Sequence, residues 1–244
     1  MPFSPKLLQR SIVRPTGLAR VYVIKLAGLE MIPDLSGALY LPDQQTLIIA
    51  DLHLEQGTSL ARRGLHVPPF DTQSSLDLLD AVVSANNPQR LIFLGDSFHD
   101  QEGSSRLDEM HREKLKSITN TVETFWISGN HDPAAPHDLG GTHAEEIALG
   151  SITLRHKPAE LEEGKYEISG HLHPGCTIVQ RGRSIRGKCF VADERRLIMP
   201  AFGAYTGALS VTGRAFDGLF KHDATQSWMI GKAAMHRFPH SRLS

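Results

Sequence analysis

Apolar runs that stop abruptly at polar residues are the most regular feature of the chain. Short runs rich in Leu, Ile, Val and aromatic residues predict buried strands, and four of them lead directly into Asp, Gly, Asn or His. These four predicted strands end at Ala50, Leu94, Ser128 and Ser169. Between the first three, apolar residues at helical spacing predict one helix capped by Asp71 and ended at 86–88, and a second, more charged helix over about 106–118. Strands and helices therefore alternate in this part of the chain.

The remainder of the chain, from Ile147 onward, consists mostly of short predicted strands separated by turns that contain glycine. These strands are predicted over 151–155, 166–169, 177–179, 197–200 and 208–212, in addition to earlier ones over 37–41 and 46–50. Strand-helix alternation followed by runs of strands predicts an α/β domain in which two sheets pack together.

The two ends of the chain differ from the middle. The first 29 residues carry five basic residues, three prolines and no acidic residue, which is typical of an extended or mobile arm. We therefore expect a basic arm over 1–27, a single domain over 28–232 and a C-terminal tail over 233–244.

Composition excludes several classes of protein. With 244 residues, 40% of them hydrophobic and 22% charged, the chain can bury a sizeable core and is not intrinsically disordered. The most apolar stretch, 21–29, is interrupted by Lys25 and falls short of the about 18 apolar residues of a membrane span. Two cysteines cannot form a disulfide framework, which indicates a reducing, cytoplasmic setting. The formal net charge of -1 gives no long-range attraction for nucleic acid, so any such binding requires a local patch.

The polar residues that follow the predicted strands have the chemistry of a metal site. In open α/β sheets the segments beyond the carboxyl ends of strands converge on the ligand crevice, so these loops can reach one point. Carboxylate, amide and imidazole ligands without thiolate suit Mn, with Fe, Zn, Co or Ni as alternatives. Seven or eight such ligands are too many for one ion and fit two ions about 3.5–4 Å apart with a bridging carboxylate. The candidate segments are Asp51-Leu52-His53, Gly95-Asp96, Gly129-Asn130-His131-Asp132 and Gly170-His171-Leu172-His173.

These segments, taken in this order, resemble the signature of the calcineurin-like metallophosphoesterase superfamily. The resemblance implies that Asp51, His53 and His173 hold one metal ion. It implies that Asn130, His156 and His171 hold a second ion, with Asp96 bridging the two. It also implies that His131, paired with Asp132, does not bind metal and faces the substrate phosphate. His156 lies in Leu154-Arg155-His156-Lys157-Pro158 and departs from the wider pattern, in which a glycine adjoins this histidine.

A closer resemblance covers roughly 28–220 and concerns the ligase-associated DNA damage response endonucleases of bacteria. It implies a four-layer αββα fold in which two mixed sheets are flanked by helices. It also implies a DNA-repair setting beside a DNA ligase and a helicase. The strings that carry it are 50–55 (ADLHLE), 94–100 (LGDSFHD), 170–174 (GHLHP), 181–184 (RGRS) and 200–207 (PAFGAYTG).

A run of cations follows the last histidine pair. Four of them lie within eight residues, and a basic stripe beside a phosphoesterase site would hold the flanking phosphates of a polymer, although a solvated hairpin explains the run equally well. They are Arg181, Arg183, Arg186 and Lys188. His99, close behind Asp96, is a further candidate for orienting a ligand or contacting substrate.

Three functions are compatible with these residues. The first is a dinuclear-metal DNA endonuclease or phosphodiesterase in repair, in which hydroxide bridging two cations attacks the phosphate in line. The second is a phosphodiesterase or pyrophosphohydrolase for small nucleotides, which the near-neutral charge favours. The third is a catalytically silent scaffold, disfavoured because every expected ligand and His131 are present.

Overall fold

The computed structural model describes residues 21–68, 70–133 and 138–244. Residues 1–20, which make up most of the predicted basic arm, lie outside this part of the chain. The last residues assigned to the arm form the first strand of the domain, Ile24–Leu26. None of the helices in the described ranges is long and apolar enough to span a bilayer.

The first sheet has seven strands in sequence order. Its strands are β1 (Ile24–Leu26), β2 (Leu29–Pro33), β3 (Leu39–Leu41), β4 (Thr46–Ile49), β5 (Arg90–Phe93), β6 (Glu123–Ile127) and β7 (Thr142–Ala144). The first four strands pair antiparallel, and those from β4 to β7 pair parallel. Parallel strands are normally covered on both faces, which explains why β4 and β5 are nearly continuous apolar runs.

Helices cover one face of this sheet. They are α1 (Gln56–Arg62), α2 (Asp71–Asn86), α3 (Gly103–Arg106) and α4 (Glu109–Thr119). Leu76 and Leu79 of α2 pack against Leu91 and Phe93 of β5 in one apolar cluster, as the helical spacing predicted. The charged helix begins three residues later than expected because the Asp108 carboxylate caps it by accepting a hydrogen bond from a backbone amide in the first turn.

The second sheet has nine strands. Its strands are β8 (Glu146–Leu149), β9 (Ile152–Arg155), β10 (Tyr166–Ser169), β11 (Pro174–Gln180), β12 (Arg183–Ala192), β13 (Arg196–Ile198), β14 (Leu209–Ser210), β15 (Gln226–Ile230) and β16 (Met235–Pro239). The order is β14-β11-β12-β13-β10-β9-β8, with β15 paired to β12 and β16 paired to β15. The segment 233–244, predicted to be a tail, thus contributes β16, whose Met235 packs into the core.

The main core lies between the two sheets. Ile48 and Ile92 of the first sheet share one buried cluster with Leu154, Ile168 and Phe190 of the second. The outer face of the second sheet is covered by a 3₁₀ turn at Arg214–Phe216 and its flanking loops, in place of an α-helix within the described residues. The predicted class, an α/β domain of two packed mixed sheets, is confirmed.

A polar clamp centred on Arg106 and Asp100 ties two short helices together. The Arg106 guanidinium donates to both carboxylate oxygens of Asp100 at 2.7 and 2.8 Å, to Thr58 Oγ1 at 3.1 Å and to the Glu55 carbonyl at 3.3 Å. Burial opposes ionisation of Asp100, but the hydrogen bonds and charge of Arg106 hold its pKa well below the usual range. The clamp therefore fixes α1 and α3 relative to each other.

Replacing Asp100 by Asn tests this clamp through its pH dependence. A depressed carboxyl pKa stabilises the fold above the pKa of the unfolded chain, about 3.9, and this stabilisation is lost as the pH falls through and below that value. We expect Asp100→Asn to lower the free energy of unfolding of metal-free protein by about 1–2 kcal/mol at pH 7, because Arg106 loses its anionic partner. The difference, measured by urea denaturation, should shrink below about pH 4. Asp43→Asn, in the exposed turn after β3, is the matched control, and a pH-independent difference would contradict the clamp.

Candidate metal centre

The carboxyl ends of strands from both sheets meet at one edge of the molecule. The backbone after β4 pairs with that after β5, with His53 N donating to Asp96 O at 2.9 Å. A loop of the second sheet reaches the same place. The backbone amide of His171, just after β10, donates a hydrogen bond to the Asp51 carboxylate at 2.9 Å. Loops that are far apart in the sequence are therefore held together by hydrogen bonds that backbone amides donate.

One group of potential ligands lies at the first of these loops. Ligand atoms of Asp51, His53 and His173 all lie within 4.8 Å of one another. His173 Nε2 is 3.2 Å from Asp51 Oδ1 and 3.2 Å from His53 Nε2. The structure thus brings together the three residues predicted to hold the first metal ion.

A second group lies beside the first. Ligand atoms of Asp96, His156 and His171 also lie within 4.8 Å of one another. His156 Nε2 is 3.1 Å from His171 Nδ1, 3.3 Å from Asp96 Oδ2 and 3.0 Å from Asn130 Oδ1. His156, which departs from the wider sequence pattern, therefore lies at the centre of this group.

Asp96 lies between the two groups. Its Oδ2 is 3.3 Å from His156 Nε2 in one group and 3.8 Å from His53 Nε2 in the other. Its Oδ1 accepts a hydrogen bond from the His131 backbone amide at 2.9 Å. This carboxylate is therefore placed to reach ions in both groups.

The protonation of two of the predicted ligands, His53 and Asp96, suits cation binding. Burial lowers the pKa of His53 to about 3, so this imidazole is neutral and keeps a lone pair. Burial acts to raise the pKa of Asp96, but hydrogen bonding and charge from His156 bring it down to about 2, so Asp96 is ionised. Metal ligands must be deprotonated imidazoles and carboxylates, and these two side chains meet that requirement.

The distances between imidazole nitrogens provide a second test of fit. Nitrogens about 2.1 Å from one ion lie about 3–3.4 Å apart in tetrahedral or octahedral geometry. The His53–His173 and His156–His171 nitrogen pairs are separated by 3.2 and 3.1 Å. The donor set therefore fits divalent cations of the size of Mn or Zn.

The backbone at the centre is also unusual. Positive φ is uncommon for residues other than glycine and concentrates at functional sites. The predicted ligands that adopt it are Asp51 (φ 52), His53 (φ 46), Asp96 (φ 49), His171 (φ 69) and His173 (φ 43). The backbone thus adopts a disfavoured conformation at the positions whose side chains point into the two ligand groups.

His131 lies outside the two predicted ligand sets but beside them, and its ligand atom lies within 4.8 Å of those of His53 and His99. Its Nε2 is 3.9 Å from Asp96 Oδ2, and its side chain is 40% exposed. We expected Asp132 to orient this ring. Instead, Nδ1 of the His131 ring hydrogen-bonds to the His99 carbonyl oxygen at 2.6 Å. The Asp132 carboxylate turns inward and accepts a hydrogen bond from the Phe98 backbone amide at 3.0 Å. Burial raises the pKa of Asp132 to about 7.

His99 adjoins the centre through its ring as well as its carbonyl. Its ring centroid is 5.4 Å from that of His53 and 5.4 Å from that of His131. Its buried Nδ1 has no hydrogen-bond partner among the described residues. This position is compatible with the predicted role of contacting a ligand or substrate.

The four cations of the predicted basic run have different environments. Arg181 and Arg183 are exposed at the tip of the β11–β12 hairpin, where Arg181 and Gly182 form the turn. Arg186 donates to the Ala208 carbonyl. Lys188 does not project from the surface as a phosphate contact would, because its ammonium donates three hydrogen bonds within the protein.

Some residues that build the site were not predicted to take part in it. Buried Glu55 adopts a φ of 64° and accepts hydrogen bonds from the hydroxyls of Thr58 and Thr72. Asp71, predicted only as a helix cap, accepts a hydrogen bond from the backbone amide of Gly57 at 2.8 Å. These contacts join α1 to α2 beside His53. They connect residues 14 and 17 positions apart, and no local sequence pattern predicts contacts over that separation.

Comparison with known proteins agrees with this geometry. A family model described as calcineurin-like phosphoesterase matches residues 45–165, about half of the chain. The chain belongs to the calcineurin-like metallophosphoesterase superfamily. This calcineurin-like phosphoesterase is accordingly a metal-dependent hydrolase of phosphate esters. No curated protein sequence matches it.

Solved structures resemble this calcineurin-like phosphoesterase to different extents. The nuclease MPE of Pseudomonas putida matches with a TM-score of 0.69 and 24% sequence identity, over 89% of this chain and 100% of that chain. The phosphoesterase Yfce of E. coli matches with a TM-score of 0.38 and 14% identity, over 80% of this chain and 98% of that chain.

A methyl group at Gly129 tests whether the two groups form one metal centre in this phosphoesterase. A Cβ there would overlap the Asp96 amide nitrogen, an Asp96 carboxylate oxygen and an Asp132 carboxylate oxygen. We expect Gly129→Ala to displace Asp96 and weaken Mn binding about 100-fold, in calorimetric titrations of metal-stripped protein. Gly207→Ala is the control, because a Cβ at Gly207 meets nothing within 4 Å. Wild-type affinity in the folded Gly129 variant would show that Asp96 is not a ligand.

Proposed function

We propose that this phosphoesterase is a dinuclear-metal phosphodiesterase that cleaves DNA internally. The observation that carries the proposal is the pair of adjacent ligand groups with the Asp96 carboxylate between them. Two ions sharing one carboxylate form a clamp for both the attacking and the leaving oxygen of a phosphoryl group.

The proposed ligands divide as the geometry groups them. Asp51, His53 and His173 would hold one ion, and Asn130, His156 and His171 the other, with Asp96 shared. Divalent cations supply an acidified water and neutralise charge on the phosphoryl oxygens. Mn is the favoured ion because the donors are oxygen and imidazole nitrogen without thiolate, and Fe, Zn, Co and Ni are alternatives.

His131 would act on the leaving oxygen. With Nδ1 held by the His99 carbonyl, the ring presents Nε2 toward the centre, and its partial exposure places it at the entrance. When this nitrogen carries a proton, it can donate that proton to the departing alkoxide or neutralise its charge. His99, beside it, would contact a phosphoryl oxygen.

The β11–β12 hairpin supports a polymeric substrate. β11 starts directly after His173 and runs for seven residues, so at about 3.3 Å per residue its tip lies about 20 Å along the strand from that ligand. Arg181 and Arg183 at the tip are too distant for a mononucleotide at the centre but suit phosphates several positions along a strand. Similarity to a nuclease of the same fold supports the same choice.

The biological setting follows from the resemblance noted in the sequence. A DNA-repair role in the cytoplasm, in functional association with a ligase and a helicase, is part of the proposal. The alternative substrate is a small cyclic nucleotide or nucleotide anhydride, favoured by the net charge of -1 and separable by experiment.

Removing the His131 imidazole tests its assigned role. We expect His131→Ala to bind Mn as the wild type does and to lose about 10²- to 10⁴-fold in kcat, because a proton donor is lost and no ligand is removed. Metal analysis and steady-state hydrolysis of a chromogenic phosphodiester measure the two effects. The control is His143→Ala, on exposed β7, and wild-type turnover in His131→Ala would refute the assignment.

A comparison of substrates tests the proposed function as a whole. Metal-stripped protein reloaded with Mn is assayed on a chromogenic phosphodiester, a 2′,3′-cyclic nucleotide, single-stranded DNA and supercoiled plasmid. We expect DNA cleavage that Asp96→Asn abolishes. We also expect Arg181→Ala combined with Arg183→Ala to lower kcat/KM on DNA about tenfold while sparing the chromogenic ester, because only a polymer reaches the hairpin tip.

The other outcomes of this comparison decide between the alternatives. Activity confined to the small esters would establish the nucleotide phosphodiesterase instead. If the wild-type protein neither bound Mn nor hydrolysed any of these substrates, the result would argue for a scaffold that keeps only the fold.

A further inference from the structure

Lys188 is a partly buried cation close to the metal centre. It lies on β12, where it pairs with Gly175, two residues after His173 on the neighbouring strand. Burial lowers the pKa of Lys188 to about 8, and the charge of Asp51 acts in the opposite direction. Lys188 therefore lies within electrostatic reach of Asp51 while remaining outside both ligand groups.

All three donors of the Lys188 ammonium are used within one loop. Nζ donates to the Ala201 carbonyl at 2.9 Å, the Gly203 carbonyl at 2.9 Å and Thr206 Oγ1 at 2.8 Å. The Thr206 hydroxyl in turn donates to the Gly203 carbonyl at 2.7 Å. An ammonium has three N–H donors, so Lys188 is saturated by these contacts and fixes the curvature of the 201–206 loop.

The 201–206 loop holds the backbone of the first ligand segment. The Phe202 amide donates to the Ala50 carbonyl at 2.9 Å, and the Gly203 amide donates to the Asp51 carbonyl at 3.1 Å. The approach is so close that a Cβ on Gly203 would lie 2.5 Å from the Leu52 carbonyl oxygen. Movement of this loop would therefore move Asp51 and Leu52.

The Asp51 backbone needs this support. Its φ of 52° is a conformation that costs about 1–3 kcal/mol for a residue with a side chain and persists only where the surroundings enforce it. The amide of Gly203 is one of the contacts that enforces it, because it binds the carbonyl of Asp51 itself.

We propose that Lys188 is a positioning residue of the metal centre, which fixes the 201–206 loop against Asp51 and so sets the affinity of the ion held by Asp51, His53 and His173. The inference rests on the proposed function in taking these three residues as ligands. It assigns Lys188 no contact with metal or substrate, because its donors are occupied.

Calorimetric titration of metal-stripped protein with Mn tests the proposal. We expect Lys188→Met to weaken one of the two Mn binding steps about 10- to 100-fold, the range typical of residues that orient ligands, and to leave the other step unchanged. Excess Mn should then restore most of kcat, whereas a residue acting on substrate would leave kcat low. Lys232→Met removes the same charge from the exposed turn between β15 and β16 and should alter neither step.

A second variant keeps the test valid if Lys188→Met does not fold, as judged by circular dichroism. Thr206→Val retains the lysine and removes one of its three acceptors, so we expect weakening of the same Mn step by a smaller factor. Unchanged Mn binding in both folded variants, or equal weakening of both steps, would overturn the inference. Absence of Mn binding by the wild type would instead overturn the proposed function, and the inference with it.

Discussion

Two carboxylates buried where the sheets meet are the constraint on which the rest of the structure depends. Asp51 is 1% exposed and Asp96 is 2% exposed. A buried ionised carboxylate is tolerated only when hydrogen bonds and opposite charge replace its water. Backbone amides of His171 and His131 supply part of this replacement, and these amides are available because the strand ends of both sheets meet at one edge. The remaining compensation is left to cations.

The sheet packing and the chemistry are thus one arrangement. Apolar residues such as Ile48 and Ile168 bring the two sheets into contact, and the polar residues that follow the same strands meet just beyond the apolar layer. A carboxylate from the first sheet consequently shares ligand groups with imidazoles from the second. Separating the sheets would dismantle both ligand groups at once.

The sequence predicted the parts of this arrangement that depend on local pattern. Apolar runs located the strands that carry Asp51 and Asp96, and helical spacing located α2, because burial of one face leaves a period in the sequence. Helix α1 was missed because Gly57, Thr58 and Ser59 are poor helix formers and the helix depends on a distant Asp71 contact.

Contacts across long sequence separations could not be predicted in the same way. Lys188 belongs to a run of cations that suggests an exposed stripe, yet a loop 13 to 18 residues later closes over its ammonium. Likewise, the family resemblance implied that Asp132 pairs with His131, whereas the turn directs that carboxylate to the Phe98 amide. In each case a tertiary contact, absent from any local pattern, decides the role.

The left-handed backbone at five of the proposed ligands has a consequence for how the protein can change. Positions with φ of 43–69° are ones that glycine occupies at lower cost, so the chain keeps Asp and His there against its own conformational preference. Selection for stability alone would favour glycine or asparagine at these five positions. Variants stabilised in this way would lack the Asp and His side chains proposed to bind metal. At the proposed centre, stability and activity would therefore be in direct competition, and bound metal would offset the difference.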